Sequence, residues 1–207
     1  NHIGGLNNIC MNVLAHGGKI IFFNRVDIEA LAAIREQEHP TYLVSSPTGF
    51  MMLMESTDWQ QRAGATKLIV TGGAATPINI LEAWHPYCDR IVSVYGQTET
   101  TGIVTRTDDN AALEEVAETI GKPLPGAEFK TIRADGSTCD IDEPGELVMA
   151  GPYCMNGYYN KPQATKEAFT EDGYLRTGDI AYLREDGNYV FVGLSLIHIS
   201  EPTRLSA

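Results

Sequence analysis

The first 97 residues alternate between two hydrophobic periods. "GGLNNICMNVLAHG" spaces Leu6, Ile9, Met11, Val13 and Leu14 at helical intervals and ends at Gly17–Gly18. "KIIFFN" is an apolar run of strand length. "DIEALAAIREQ" predicts an amphipathic helix capped by Asp27, with Ile28, Leu31 and Ile34 on one face. The pattern then repeats: strand "TYLVSS", helix "PTGFMMLMES", strand "TKLIVTGG", helix "PINILEAWHPY" with Pro77 near its start, and strand "RIVSVYG". Apolar strands separated by helices predict a parallel sheet covered on both faces. Such sheets bind ligands at the carboxyl ends of their strands. Two ends stand out, "VTGGAATP" (Val70–Pro77) and "VYGQTETTG" (Val94–Gly102).

The second part reads differently. "GKPLPGAEFKTIRADGSTCDIDEPGELVMAGPY" holds short strands broken by the turn signals "ADGS" and "DEPGE", and "YVFVG" after "REDGN" predicts a hairpin turning at Asp186–Gly187. The fold class is therefore α/β, with an αβ-layered subdomain over 1–125 and a β-rich, small β-barrel-like subdomain over 126–193. Residues 108–119 read as an acidic surface helix or loop. No internal repeat is present. From Leu194 the string "LSLIHISEPTR" abandons both patterns and resembles a sequencing-library adapter translated in frame, so 194–207 is expected to be non-native.

Composition narrows the function classes. With 43% hydrophobic residues the chain can bury a substantial core. Its 27 acids against 15 bases give a net charge of −12, which disfavours nucleic acid or an anionic membrane as the main partner. No apolar run reaches membrane-spanning length, and the start lacks both a signal-peptide pattern and an initiator Met, as an internal piece would. Cys10, Cys88, Cys139 and Cys154 share no metal or redox spacing and read as buried, reduced and cytoplasmic.

Candidate chemistry sits at the two strand ends. The glycines of "TGGAAT", Gly72 and Gly73, with Ala74, let a flat ligand approach the backbone, although a plain strand-to-helix turn would look the same. No GxGxxG fingerprint is present, and neither Lys19 nor Lys122 stands in a Walker phosphate loop. In "YGQTET", Tyr95 can stack on a base and Gly96 permits a sharp turn. Beyond Gln97, Thr98 offers a hydroxyl to phosphate, and Glu99 offers a hard oxygen to Mg²⁺. The competing reading is a helix cap after the strand. In "YLRTGDI", Asp179 follows a Thr–Gly turn and can accept from both hydroxyls of a ribose. His2 alone is more often structural than functional.

Taken in order, "HIGG", "TGGA", "YGQTETTG", "GKPLPG", "GELVMAGPYCMNGYYNKPQATKEAF" and "DGYLRTGDI" resemble the adenylate-forming superfamily, and most closely its acyl-CoA synthetases, over residues 1–193. The resemblance implies the large N-terminal adenylation domain and an ATP-dependent carboxylate–CoA ligase, with ATP/AMP, Mg²⁺ and CoA as cofactor and co-substrates and a small carboxylate as partner. It implies Gly72, Gly73 and Ala74 lining the adenine and acyl pocket, and Tyr95 packed on adenine within the Tyr95–Gly96–Gln97 run. Thr98 would touch the α-phosphate, Glu99 hold Mg²⁺, Asp179 bind the ribose and His2 stand near the acyl carboxylate. The family's upstream phosphate loop and downstream lid lysine have no counterpart in 1–193, so the chain alone is expected to lack ligase activity. Two alternatives stay open: an amino-acid-activating adenylation domain of a peptide synthetase, and a non-catalytic nucleotide-binding α/β module in which Glu99 and Asp179 do not converge. An acyl activator needs an apolar tunnel, to which Phe50–Met54 could contribute unless they are core. The acyl substrate and the oligomeric state are not set by these residues.

Overall fold

The structure is a computed structural model and describes residues 2–22, 27–57, 59–62 and 66–194. The chain divides into two compact units, Asn1–Pro125 and Gly126–Ala207.

The first unit opens with a π-type helical segment, Gly4–Met11, that runs into α1 (Asn12–Ala15). It continues through α2 (Ile28–Glu38), β1 (Tyr42–Ser45), α3 (Pro47–Met54), α4 (Trp59–Arg62), β2 (Thr66–Gly72), α5 (Ile78–Trp84), β3 (Cys88–Gln97), β4 (Gly102–Arg106), α6 (Leu113–Glu118) and β5 (Lys122–Pro123). Asp27 caps α2 as its sequence predicts, accepting from the Ala30 amide at 3.0 Å. Ser46 does the same for α3, accepting from the Gly49 amide at 3.3 Å, with Pro47 in the first turn. The five strands lie in the order β1-β2-β3-β4-β5. β1, β2 and β3 are parallel, in the register Ser45↔Thr71↔Ser93, whereas β4 and β5 add on antiparallel.

Consecutive residues Ile69 and Val70 on β2, and Ile91 and Val92 on β3, are all buried, so both faces of the central strands are covered. On one face Phe50, Leu53, Ile80, Leu81, Trp84 and Val116 pack with Ile69 and Ile91. The Phe50 and Trp84 rings meet edge-on at 5.4 Å. Arg35 of α2 is buried beside them, 4.9 Å over the Trp84 ring, and burial pushes its guanidinium down to about 10.

Three expectations change here. No strand forms over Lys19–Phe22, and Phe23 and Asn24 of the same run lie outside the described residues. The predicted helical face of the first segment is not a core face. Leu6, Met11 and Leu14 are exposed, and within Gly4–Met11 the backbone winds as a π-type segment rather than at the 3.6-residue period used to place them. The acidic stretch 108–119 is not only surface: α6 drives Val116 into the core.

The second unit is a four-stranded antiparallel sheet, β6 (Glu128–Ile132), β7 (Gly145–Ala150), β8 (Leu175–Leu183) and β9 (Tyr189–Leu194) in that order, with α7 (Pro162–Glu167) between β7 and β8. Among the described residues the sheet is open. Its end strands β6 and β9 do not pair, so the barrel-like expectation gives way to a meander. The turn at Asp186–Gly187 forms as its residues dictate. Gly187 takes φ +84°, and the Asn188 amide donates to the Asp186 carboxylate at 3.0 Å. Leu147, Val148 and Met149 are fully buried in succession, which covers both faces of β7. Leu194 closes β9 by pairing with Asp179, and residues 195–207 lie outside the described residues.

Candidate functional site

Parallel pairing of β1, β2 and β3 brings their carboxyl ends to one edge of the sheet, where the general rule for such sheets puts a ligand. The first unit has a cavity of about 330 Å³ there. Val44, Ser45 and Ser46 line it from the end of β1, Gly72 and Gly73 from the end of β2, and Val94, Tyr95 and Gly96 from the end of β3. His2–Gly5, Asn8 and Ile9 close it from the N-terminal segment, and Gly102 and Ile103 from β4. Five of the residues singled out in the sequence, His2, Gly72, Gly73, Tyr95 and Gly96, thus meet around one space.

The two β2-end glycines have different jobs. A Cβ on Gly72 would stand 2.6 Å from the Val94 carbonyl oxygen, so this glycine allows the close approach of β2 to β3. Gly73 has open space around its missing Cβ but takes φ +80°, a left-handed conformation that leaves its backbone bare to a ligand. The loop that follows is pinned by the buried hydroxyl pair Thr71 Oγ1–Thr76 Oγ1 at 2.6 Å. Ala74 is exposed and does not line the cavity.

No helix follows β3. Residues 98–101 form the turn of a β3–β4 hairpin in which Gln97 pairs with Gly102, so the helix-cap alternative fails. Thr100 organises the turn. Its buried hydroxyl accepts from the Gln97 amide at 2.8 Å and donates to the Gly102 carbonyl at 2.8 Å. Thr101 sits at φ +60° and its amide donates to the Thr98 carbonyl at 3.1 Å. Thr98 is left exposed and Glu99 half-buried at the tip, outside the cavity lining. Gln97 turns back along the strand, its Nε2 donating to the Tyr95 hydroxyl at 3.1 Å. His2 also lines the cavity, its ring accepting from the Gly4 amide through Nδ1 at 3.1 Å.

Asp179 belongs to the second unit. It lies within β8 rather than in a turn before a strand, and it is buried. Gly178 takes φ +72° inside the strand, and the β8–β9 pairing shifts register between Ile180 and Ala181. The Asp179 amide donates to Thr177 Oγ1 at 3.1 Å, and that hydroxyl donates to the Leu147 carbonyl at 2.7 Å. The four cysteines are free and half-buried rather than buried, and burial pushes the Cys88 thiol up to about 11.

Some lining residues were not legible in the sequence. Ser45 and Ser46 carry the same strand-end signal as the two noted stretches, and applying that rule to a third strand end finds them. Gly102 and Ile103 depend on the antiparallel return of β4, which the apolar pattern did not announce. Conversely, Phe50 and Leu53 point into the core, Met51 and Met52 are exposed, and none of them reaches the cavity.

Comparison with known proteins gives a consistent picture. Residues 1–159 match the family described as AMP-binding enzyme. A probable CoA ligase of Humulus lupulus is 30% identical over 200 residues, covering 92% of this chain and 35% of that protein. The 2-hydroxy-7-methoxy-5-methyl-1-naphthoate–CoA ligase of Streptomyces carzinostaticus is 32% identical over 187 residues, covering 88% of this chain and 33% of its own. O-succinylbenzoate coenzyme A synthetase of Bacillus subtilis, solved in complex with AMP, superposes with a TM-score of 0.79 at 25% identity, over 93% of this chain and 39% of that one. The chain therefore spans about a third of the length of the curated relatives it matches.

Proposed function

The chain belongs to the AMP-binding enzyme family, and from that premise we propose that it forms part of an ATP-dependent carboxylate–CoA ligase. The observation that carries this reading is the single strand-end cavity shared by His2, Gly72, Gly73, Tyr95 and Gly96. The CoA-ligase relatives support it.

In this reading a carboxylate oxygen attacks the α-phosphorus of ATP and pyrophosphate leaves. The CoA thiol then attacks the acyl carbon of the adenylate and AMP leaves. Gly72 and Gly73 border the adenine and acyl positions, the bare backbone of Gly73 giving a flat ring its closest approach. Tyr95 packs on the adenine, with Gly96 and Gln97 shaping the strand end beneath it. Thr98, exposed at the hairpin tip, donates to an α-phosphate oxygen. His2 stands at the acyl carboxylate; a ribose-binding role for Asp179, in the second unit, rests on the sequence resemblance alone.

Glu99 is the residue that would hold Mg²⁺. Among the described residues there is no cluster of three or more His, Cys, Asp or Glu that could hold a metal by itself. A single carboxylate fits an ion that takes its remaining ligands from phosphate and water. Mg²⁺ would supply neutralisation of the phosphate charge that an attacking anion must face. Four free cysteines with no paired spacing fit a reducing, cytoplasmic setting. No helix of the described residues is long and apolar enough to cross a membrane. Among the described residues no acidic side chain lines the cavity, so a substrate ammonium finds no partner there, which disfavours an amino-acid activator.

The test is an assay of the complete gene product with ATP, CoA and a panel of carboxylic acids. AMP release should require both the acid and CoA. Glu99→Gln should lower kcat by roughly 10²–10³-fold, as loss of a charge-stabilising group does. AMP release by no acid would defeat the ligase reading, and release indifferent to CoA would redirect it to another adenylate-forming chemistry.

A further inference from the structure

The geometry points to Asn8, with Asn7 beside it, as a positioning residue: the pair fixes the segment that carries His2 against the β3–β4 hairpin that carries Thr98 and Glu99. The inference rests on the ligase reading of this site. In that reading a carboxylate beside His2 attacks a phosphate beside Thr98, so the two walls must keep one spacing.

The N-terminal segment needs such a fixing. No residue of Gly4–Met11 is buried, and Leu6 and Met11 are exposed, so apolar packing does not anchor it. His2 moves with this segment. Its carbonyl accepts from the Leu6 amide at 3.0 Å, and its Nδ1 accepts from the Gly4 amide at 3.1 Å.

Two side chains join the segment to the hairpin. Asn7 donates through Nδ2 to the Thr101 carbonyl at 3.4 Å, and the Thr101 amide donates in turn to the Thr98 carbonyl at 3.1 Å. Asn8 packs on the bare Cα of Gly102, where a Cβ would stand 2.0 Å from Asn8 Oδ1 and 2.8 Å from its Cγ. Gly102 is pressed in turn against Gly96, whose own Cβ would stand 1.8 Å from the Gly102 carbonyl oxygen. Asn8, Gly102 and Gly96 are therefore stacked in contact, and all three line the cavity. A π-type winding puts more residues into each turn than an α-helix does. Neighbouring side chains then diverge less, which lets Asn7 and Asn8 both face the hairpin.

Asn8 does not stabilise the fold through its oxygen. Oδ1 is buried without a hydrogen-bond partner among the described residues, which costs the folded state. Truncation removes that orphan together with the contact on Gly102, so Asn8→Ala separates positioning from folding.

The test uses the complete gene product as wild type, Asn8→Ala and the double variant Asn7→Ala/Asn8→Ala. Steady-state kinetics are measured with ATP, CoA and the carboxylic acid of the panel that is turned over fastest, beside amide exchange and melting. Asn8→Ala should lower kcat/KM for the acid about 10–100-fold, the scale of a displaced reacting group, at an unchanged or higher melting temperature. Amide exchange should rise about 5-fold in Gly4–Met11 and in residues 97–102 alike, the scale of one net hydrogen bond, and stay level in β2. The double variant, which also loses the bond to Thr101, should show the larger rise. Thr100→Val loosens the hairpin from within and should raise exchange in Gly4–Met11 in return, since coupling is reciprocal. Unchanged kcat/KM, a loss of activity that only follows a lower melting temperature, or exchange that rises in the segment while the hairpin stays protected overturns the inference. A wild-type product that releases no AMP removes the ligase reading, and the coupling of segment to hairpin then stands or falls on the exchange pattern.

Discussion

A methyl group on residue 96 would overlap the Gly102 carbonyl oxygen across the β3–β4 hairpin. Gly96 is therefore needed for the strands to close at the bulge between Tyr95 and Gly96, whatever it does for a ligand. Gly96→Ala should cost about 1–3 kcal/mol, the range for overpacking, read as a lower melting temperature. It should also weaken AMP binding, because Tyr95 would be displaced with the strand end. Unchanged melting would mean that the hairpin opens freely at this point. Gly72 faces the same limit against Val94, whereas Gly73 is constrained by its φ alone. In the sequence the two adjacent glycines look alike. Their separate roles depend on which backbone passes beside each, which no local pattern encodes.

The β3–β4 hairpin is the element that gives "YGQTET" its shape. Thr100 supplies its closure, with one buried hydroxyl satisfying the Gln97 amide and the Gly102 carbonyl. Thr100→Val keeps the shape and removes both bonds, leaving a buried amide and carbonyl short of partners. The expected loss is about 1–3 kcal/mol by denaturant titration. Amide exchange at Gln97–Gly102 should rise more than in β2, and equal protection in both would contradict the role. Legibility differed sharply between elements. Helix α2 followed from its cap and periodicity, α3 from its apolar helical stretch, and β1 to β3 from short apolar runs. The antiparallel β4 was not seen, because "GIVTR" is too short to separate from a loop and its partner is chosen by the turn. The first segment misled for another reason: its apolar residues obey a helical period, but the backbone winds as a π-type segment and exposes several of them.

At the scale of the whole molecule, the net charge of −12 makes acid the natural stress. Several carboxyls have partners that hold them below the usual carboxylate range: Asp109 beside Arg106, Asp135 bonded by Ser137, Glu143 beside Arg133 and Asp172 beside Lys130. A carboxyl depressed on folding stabilises the folded state above its unfolded value and loses that contribution as pH falls through the folded one. Melting temperature should therefore be level from pH 7 to about 5 and decline below about 4, near the ordinary carboxylate range. Because these pairs are exposed, 0.5 M salt should flatten the decline, and a melting temperature that rises toward pH 3 would contradict the assignment. What the sequence alone determined was local or additive: the strand–helix alternation, the cap at Asp27, the turn at Asp186–Gly187, the acidic charge and the ordered motifs that mark the family. Tertiary structure decided what depends on neighbours distant along the chain. It brought His2 to the ends of β1, β2 and β3, turned Phe50 and Leu53 away from the cavity, left the second sheet open and put Asp179 inside a strand. The physical reason is that hydrophobic period and turn chemistry act over a few residues, whereas strand pairing and cavity walls are set by contacts between segments whose register no short stretch contains.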